Sequence, residues 1–156
     1  MTPDHEHLIQ RLGSAAAALV AASATVPPGK EARQPAAGEW SVQETLIHAR
    51  NVVVLVLGLR IRRLVYERDP VFADYDDGPV RQAHLQRSEP LADVLGMIVS
   101  EHEQIARLLR WLPDDHWQRE GRHPERGPMS IELLVRWAVD HAEDHAGQIA
   151  TTAKLL

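Results

Sequence analysis

His141 and His145 stand four residues apart in the segment His141-Ala142-Glu143-Asp144-His145, and that spacing carries the strongest chemical signal in the chain. On a helix, residues i and i+4 are stacked neighbours about 6 Å apart, so two imidazole nitrogens can converge on one metal ion. The 156 residues include nine histidines and no cysteine, so a bound metal must be held by nitrogen and oxygen. The plainer alternative is a pair of core histidines that hydrogen-bond each other or a carbonyl. Two ligands do not hold a metal, and the third must come from another helix. His48 is the strongest candidate, because it falls on one helical stripe with Thr45, Val52, Leu55 and Leu59. Three neutral imidazoles without thiolate match the open three-ligand pattern of catalytic zinc, and nickel or ferrous iron suits the same donors.

His102 lies on a core stripe between Ile98 and Ile105. It is either a satisfied histidine near the rim or a fourth ligand or proton relay, which makes it the one candidate catalytic side chain. Gln148, one turn beyond His145, can orient a ligand. His5, His7, His84, His116 and His123 fall at ends or in loops and are expected at the surface. The segment is not the His-Glu-x-x-His of metallopeptidases, because its acids occupy other positions. The Glu-x-x-His match at Glu120 to His123 lies in a Gly/Pro loop, which disfavours a ferritin-like di-iron site.

Four helices must position these residues. Apolar positions recur at the 3.6-residue period from about Asp4 to Ala24, from Ser41 to about Tyr66, from Ser88 or Pro90 to about Trp111, and from Ser130 to the C-terminus. Ser41-Val42-Gln43-Glu44 reads as a capping box, and Met129 with Leu134 as a hydrophobic staple before the last helix. The last helix presents Ile131, Leu134, Val135, Ala138, Ala142 and Ile149 on one arc with His141 and His145 inside it. A short helix is expected around Val80 to Gln86 within the long middle connection. The predicted architecture is all-α, a four-helix bundle formed by residues 1–156 as a single domain.

Composition narrows the function classes. With 17 Lys+Arg against 22 Asp+Glu the net charge is −5, and no basic stripe exists to bind nucleic acid. The N-terminus lacks the basic-then-apolar order of a signal peptide. The most apolar run, Val52 to Leu59, lies between Arg50 and Arg60 and is far short of the ~20 residues a membrane span requires. A soluble, cytoplasmic protein with a small-molecule substrate is expected. The helix from Ser41 is apolar on two sides, which fits either packing within the bundle or a homodimer contact.

Trp40-Ser41-Val42-Gln43-Glu44-Thr45-Leu46-Ile47-His48 resembles the W-S-x-x-E-x-L-x-H start of the second helix in the DinB-like superfamily. His123-Pro124, then Gly127-Pro128-Met129-Ser130-Ile131, then His141 to Ile149 resemble that family's H-P, G-x-x-[ST]-[IL] and H-x-x-x-H-x-x-Q-I ending. The resemblance implies an up-down-down-up four-helix bundle, often dimeric, with a divalent metal on residues matching His48, His141 and His145. It also implies chemistry with low-molecular-weight thiols such as bacillithiol or mycothiol, including S-transfer and isomerisation. Two functional classes follow. One is a metal-dependent enzyme, a thiol S-transferase or isomerase or a hydrolase; the other is a non-catalytic, stress-related metal-binding or interaction protein. Whether the acidic run from Asp74 to Asp77 lids the site is left open by the sequence.

Overall fold

Side-chain caps set where the helices of this computed structural model begin; it describes residues 1–156. Helix α1, Pro3–Ser23, starts where the Thr2 hydroxyl accepts from the His5 amide, with proline in the first turn where no amide is needed. Helix α2, Val42–Asn51, starts at the predicted capping box: Ser41 accepts from the Glu44 amide and Glu44 reaches back to the Ser41 amide. Its axis continues through a π-helical segment, Val52–Gly58, into α3, Leu59–Tyr66. Helix α4, Asp77–Gln86, lies in the middle connection, and α5, Leu91–Arg110, follows it. A 3₁₀ turn at Asp114–Gln118 leads to a hairpin of β1, Glu120–His123, and β2, Gly127–Ser130, which feeds α6, Ile131–Ala153. Ser130 caps α6 by accepting from the Leu133 amide.

Cross-helix contacts fix the directions. His5 lies near Glu132 and Arg11 near Glu143, so α1 and α6 run parallel. Arg50 pairs with Glu89 and Arg62 with Glu101, so α2–α3 runs parallel to α5. His48 meets His141 and Arg60 meets Met129, so α2–α3 runs antiparallel to α6. The bundle is therefore up-down-down-up, and the second and third long helices can run the same way only because the connection between them returns along α2 as α4. The buried faces match the sequence stripes on α1 (Leu8, Leu12, Ala15, Ala16, Leu19) and α6 (Leu134, Val135, Ala138, Ala142, Ile149).

The His48 helix departs from its expected stripe. Past Val52, Leu55 and Leu59 are 42% and 50% exposed, while Val53, Val56, Leu57, Arg60, Ile61 and Leu64 are buried. The i→i+5 bonding of the π segment takes up more residues per turn than an α-helix does, so the inward face moves on by one residue. Gly58 ends the segment, and a Cβ there would collide with the Glu101 carboxylate and the Val53 carbonyl. Val42–Tyr66 is long and apolar enough to cross a bilayer, and about half of its apolar window, 56%, is buried inside the bundle.

The hairpin was not expected from periodicity, because four-residue strands containing glycine and proline are too short to show alternation. It packs on the loop before α4: Phe72 donates its amide to the Arg122 carbonyl and buries its ring over Gly121. Any side chain at position 121 would strike that ring, so the glycine is what lets loop and hairpin close one wall of a cleft.

Candidate metal centre

Three helical side chains converge at one end of that cleft. His141 Nε2 lies 3.2 Å from Nε2 of His48 and 3.2 Å from Nε2 of His145, and all three atoms fall within 4.8 Å of one another. His141 and His145 share a face of α6 by their spacing, whereas His48 arrives because α2 packs antiparallel against α6. The imidazoles meet at steep angles, with His145 edge-on to both others.

Hydrogen bonds at the far side of the rings decide what faces the centre. His48 Nδ1–H donates to Asp77 Oδ2 at 2.8 Å, and His145 Nδ1–H donates to Gln148 Oε1 at 2.8 Å. Each of those rings therefore turns an unprotonated Nε2 inward. A proton on His141 Nε2 could serve only one of two flanking lone pairs, whereas a single cation would serve all three. Zinc at ~2.05 Å from each nitrogen would set the nitrogens about 3.3 Å apart; the two pairs that include His141 lie at 3.2 Å, and the His48–His145 pair lies within 4.8 Å. The donor set fits a divalent ion.

Electrostatics favour neutral imidazoles on α6 and an ionised Asp77. Burial, reinforced by the neighbouring imidazoles, pushes His141 down to about 3, and burial also lowers His145. Burial alone would raise Asp77, but hydrogen bonds from His48, Asn51 and Tyr75 hold it below the usual carboxylate range. The same contact pushes Tyr75 up to about 12, after desolvation, so its hydroxyl stays protonated and donates to Asp77 at 3.3 Å. This is the arrangement in which a carboxylate fixes the tautomer and orientation of a metal-ligating histidine.

The motif around His48 works as a brace. Trp40 packs edge-on to His48 with ring centroids 5.1 Å apart, and the Arg81 guanidinium lies 4.0 Å from the centre of the Trp40 ring. Arg81 also pairs with Glu44 at 3.3 Å and with Asp77 at 3.3 Å. Glu44 thus starts α2 as part of the capping box and ties α4 to it, which holds Asp77 beside His48.

The cleft, about 420 Å³, runs from His48 and His141 past Val52, Val56 and Trp137 to Arg60 and His123. His123 corrects the expectation of an exposed loop residue: it is 2% exposed, on β1. Its Nδ1 accepts the amides of Glu125 and Arg126, so its proton sits on Nε2, 3.0 Å from Asp74. His5, also expected at the surface, is half-buried and stacks on the buried Trp117 at 4.0 Å. His102 is buried on α5 as the stripe implied, and its Nδ1–H donates to the Ile98 carbonyl at 2.8 Å. It supplies no atom to the three-histidine cluster and lines a groove against α1 instead of the cleft.

Sequence reasoning missed Asp77 as the partner of His48, along with Tyr75, Arg60 and Trp137 as cleft residues. The acidic run Asp74 to Asp77 was the available signal. Two of its members are now placed, Asp77 on His48 and Asp74 beside His123.

A model of the DinB superfamily matches residues 11–149. A protein of Oceanobacillus iheyensis named "Putative metal-dependent hydrolase" is 25% identical over 117 residues, which span 75% of this chain and 67% of that protein. YfiT from Bacillus subtilis, described as "a probable metal-dependent hydrolase with an unusual four-helix bundle topology", superposes with a TM-score of 0.87 at 19% identity, over 99% of this chain and 89% of that one.

Proposed function

The chain belongs to the DinB superfamily, and from that premise we propose that it is a metal-dependent hydrolase of a small molecule, with a divalent ion held by His48, His141 and His145. The convergence of three Nε2 atoms at the end of an open cleft carries this reading. Structural zinc sites are closed by four protein ligands, whereas three ligands beside a cleft leave room for water or substrate. When bound, the ion would act as a Lewis acid and lower the pKa of a bound water toward ~7.

The chain's own groups do the rest. Asp77, held ionised, keeps the proton of His48 on Nδ1, and Gln148 does the same for His145. Tyr75 and Asn51 hold Asp77 still. Val52, Val56 and Trp137 give the cleft an apolar wall that excludes water from part of a bound substrate.

The names of the two relatives support hydrolysis. Thiol transfer is the second reading: the chain has no cysteine, so a thiolate at the open position would come from a small molecule such as bacillithiol or mycothiol. A panel of esters, amides and lactones, assayed with and without added thiol on zinc-, nickel- and iron-loaded protein, separates the two. Hydrolytic turnover without thiol, abolished in His48→Ala, is expected; turnover only with thiol would move the assignment to S-transfer. Metal binding with no turnover under either condition would favour the non-catalytic class. A homodimer remains a proposal, supported by the exposed Leu55 and Leu59 on the outer face of the His48 helix, and a monomeric mass in light scattering would reject it.

A further inference from the structure

Arg60 is a buried cation without a counter-ion. Its side chain lines the same cleft as His48 and His141, only 8% of the residue is exposed, and no carboxylate lies within ion-pair distance. Of its five N–H donors, Nη2 donates to the Ala73 carbonyl at 2.7 Å and Nη1 approaches the Met129 sulfur at 4.0 Å. The Phe72 ring, 5.4 Å from the guanidinium carbon, adds a cation–π contact. The contrast with Arg50 is direct: equally interior at 3% exposed, it forms a two-pronged pair with Glu89 at 3.0 and 3.2 Å. Asp74 acts on Arg60 only from beyond ion-pair distance and lies 3.0 Å from His123 Nε2 instead.

Taking a guanidinium out of water is unfavourable unless an anion or a full set of acceptors compensates it. Arg126, at the mouth of the same cleft, adds a second positive charge that opposes the first. The π-helical segment is what brings Arg60 there. On a regular helix Leu59 would share the face of His48; the π segment turns Leu59 to solvent and Arg60 into the cleft, about three turns away.

We propose that Arg60, assisted by Arg126 at the rim, recognises a carboxylate on the substrate, so that the protein acts on small monoanionic molecules held with the carboxylate at Arg60 and the reacting group at the three histidines. This assignment of substrate class rests on the metal-dependent reading above. A single charge is specified because Asp74, Asp77, Asp140 and Asp144 also line the cleft and oppose a dianion such as phosphate. The apolar stretch at Val52, Val56 and Trp137 between the two ends fits an aliphatic or aromatic spacer.

The test uses the metal-free protein, so that the anion site and the metal site report separately. Butyrate, hexanoate, butanamide, hexanamide and inorganic phosphate are titrated by calorimetry and by shift of Tm into wild type, Arg60→Met, Arg126→Met and His145→Ala, and zinc uptake is measured on each. Hexanoate is expected to bind wild type and His145→Ala equally, at least tenfold tighter than hexanamide. Binding should weaken at least tenfold in Arg60→Met and less in Arg126→Met, with zinc uptake kept in both. Equal binding of hexanoate and hexanamide, or tighter binding of phosphate, overturns the carboxylate assignment whatever zinc does. Loss of zinc uptake by wild type would instead reject the metal reading. If Arg60→Met does not fold, the carboxylate-against-amide comparison on wild type decides alone.

Discussion

The two helices that supply the histidines are wound differently. From Ile131 to Ala153, α6 is a regular α-helix, and its buried residues recur every three or four positions along the whole length. The His48 helix begins in the same way but passes through seven π-helical residues before it returns to α geometry at Leu59. On the regular helix, sequence spacing alone places two ligands side by side. On the interrupted helix, spacing fails beyond Val52, and the failure puts a charged residue where an apolar one was expected. Regular winding delivers ligands; π winding re-aims a side chain within the same cleft.

Removing a ligand from the regular helix is the sharpest way to break this comparison. In His145→Ala, zinc per chain is expected to fall from about one to near zero by elemental analysis, since two imidazoles do not hold the ion. Equal metal in both proteins would reject the cluster as the site. The pH response tests the same helix. Unfolded, His141 titrates near its ordinary 6.5, and folded it titrates at about 3. Between those values the unfolded chain holds the extra proton, so stability present above about pH 6.5 drains away as pH falls toward 3, by up to about 1.4 kcal/mol per pH unit. Urea midpoints of metal-free protein should follow that slope, and the slope should be shallower in His141→Ala.

On the interrupted helix, Asp77→Asn removes the charge that orients His48 and should weaken zinc affinity about 10- to 100-fold, read by competition with a chelator. Glycines then compare the backbones. Gly58→Ala forces a Cβ onto the Val53 carbonyl and the Glu101 carboxylate and is expected to cost about 1–3 kcal/mol in urea unfolding. Gly147→Ala, on α6 with nothing within 4 Å of the new Cβ, should gain roughly 0.5–1 kcal/mol. The smallest effect is Leu59→Gln: at 50% exposed it should change stability by less than about 0.5 kcal/mol. A larger loss that grows on dilution would place that face in an interface between copies.

Where local rules suffice, the sequence was legible. The capping box at Ser41 and Glu44, the cap at Ser130 and the inward arc of α6 stand as expected, because hydrogen bonds and contacts within four residues decide them. Other features depended on neighbours distant in the chain. His123 reads as a loop histidine among Gly and Pro, yet the packing of Phe72 on Gly121 folds that loop into a strand that buries it. His102 and His141 both occupy apolar stripes. One donates from Nδ1 to the Ile98 carbonyl of its own helix and leaves Nε2 without a partner, and the other faces two histidines, a difference that periodicity does not carry.

Sequence by itself determined that His141 and His145 share one face, because a helix fixes the angle between residues four apart. It also marked His48 through the motif that starts α2. Only the tertiary structure decided that these three nitrogens meet, that Asp77 holds the third, and that Arg60 shares their cleft. His48 and His141 are 93 residues apart, and no local preference can bring them within 3.2 Å. That closeness comes from burying the apolar faces of α2 and α6 against each other, with α4 returned along α2 by Glu44 and Arg81.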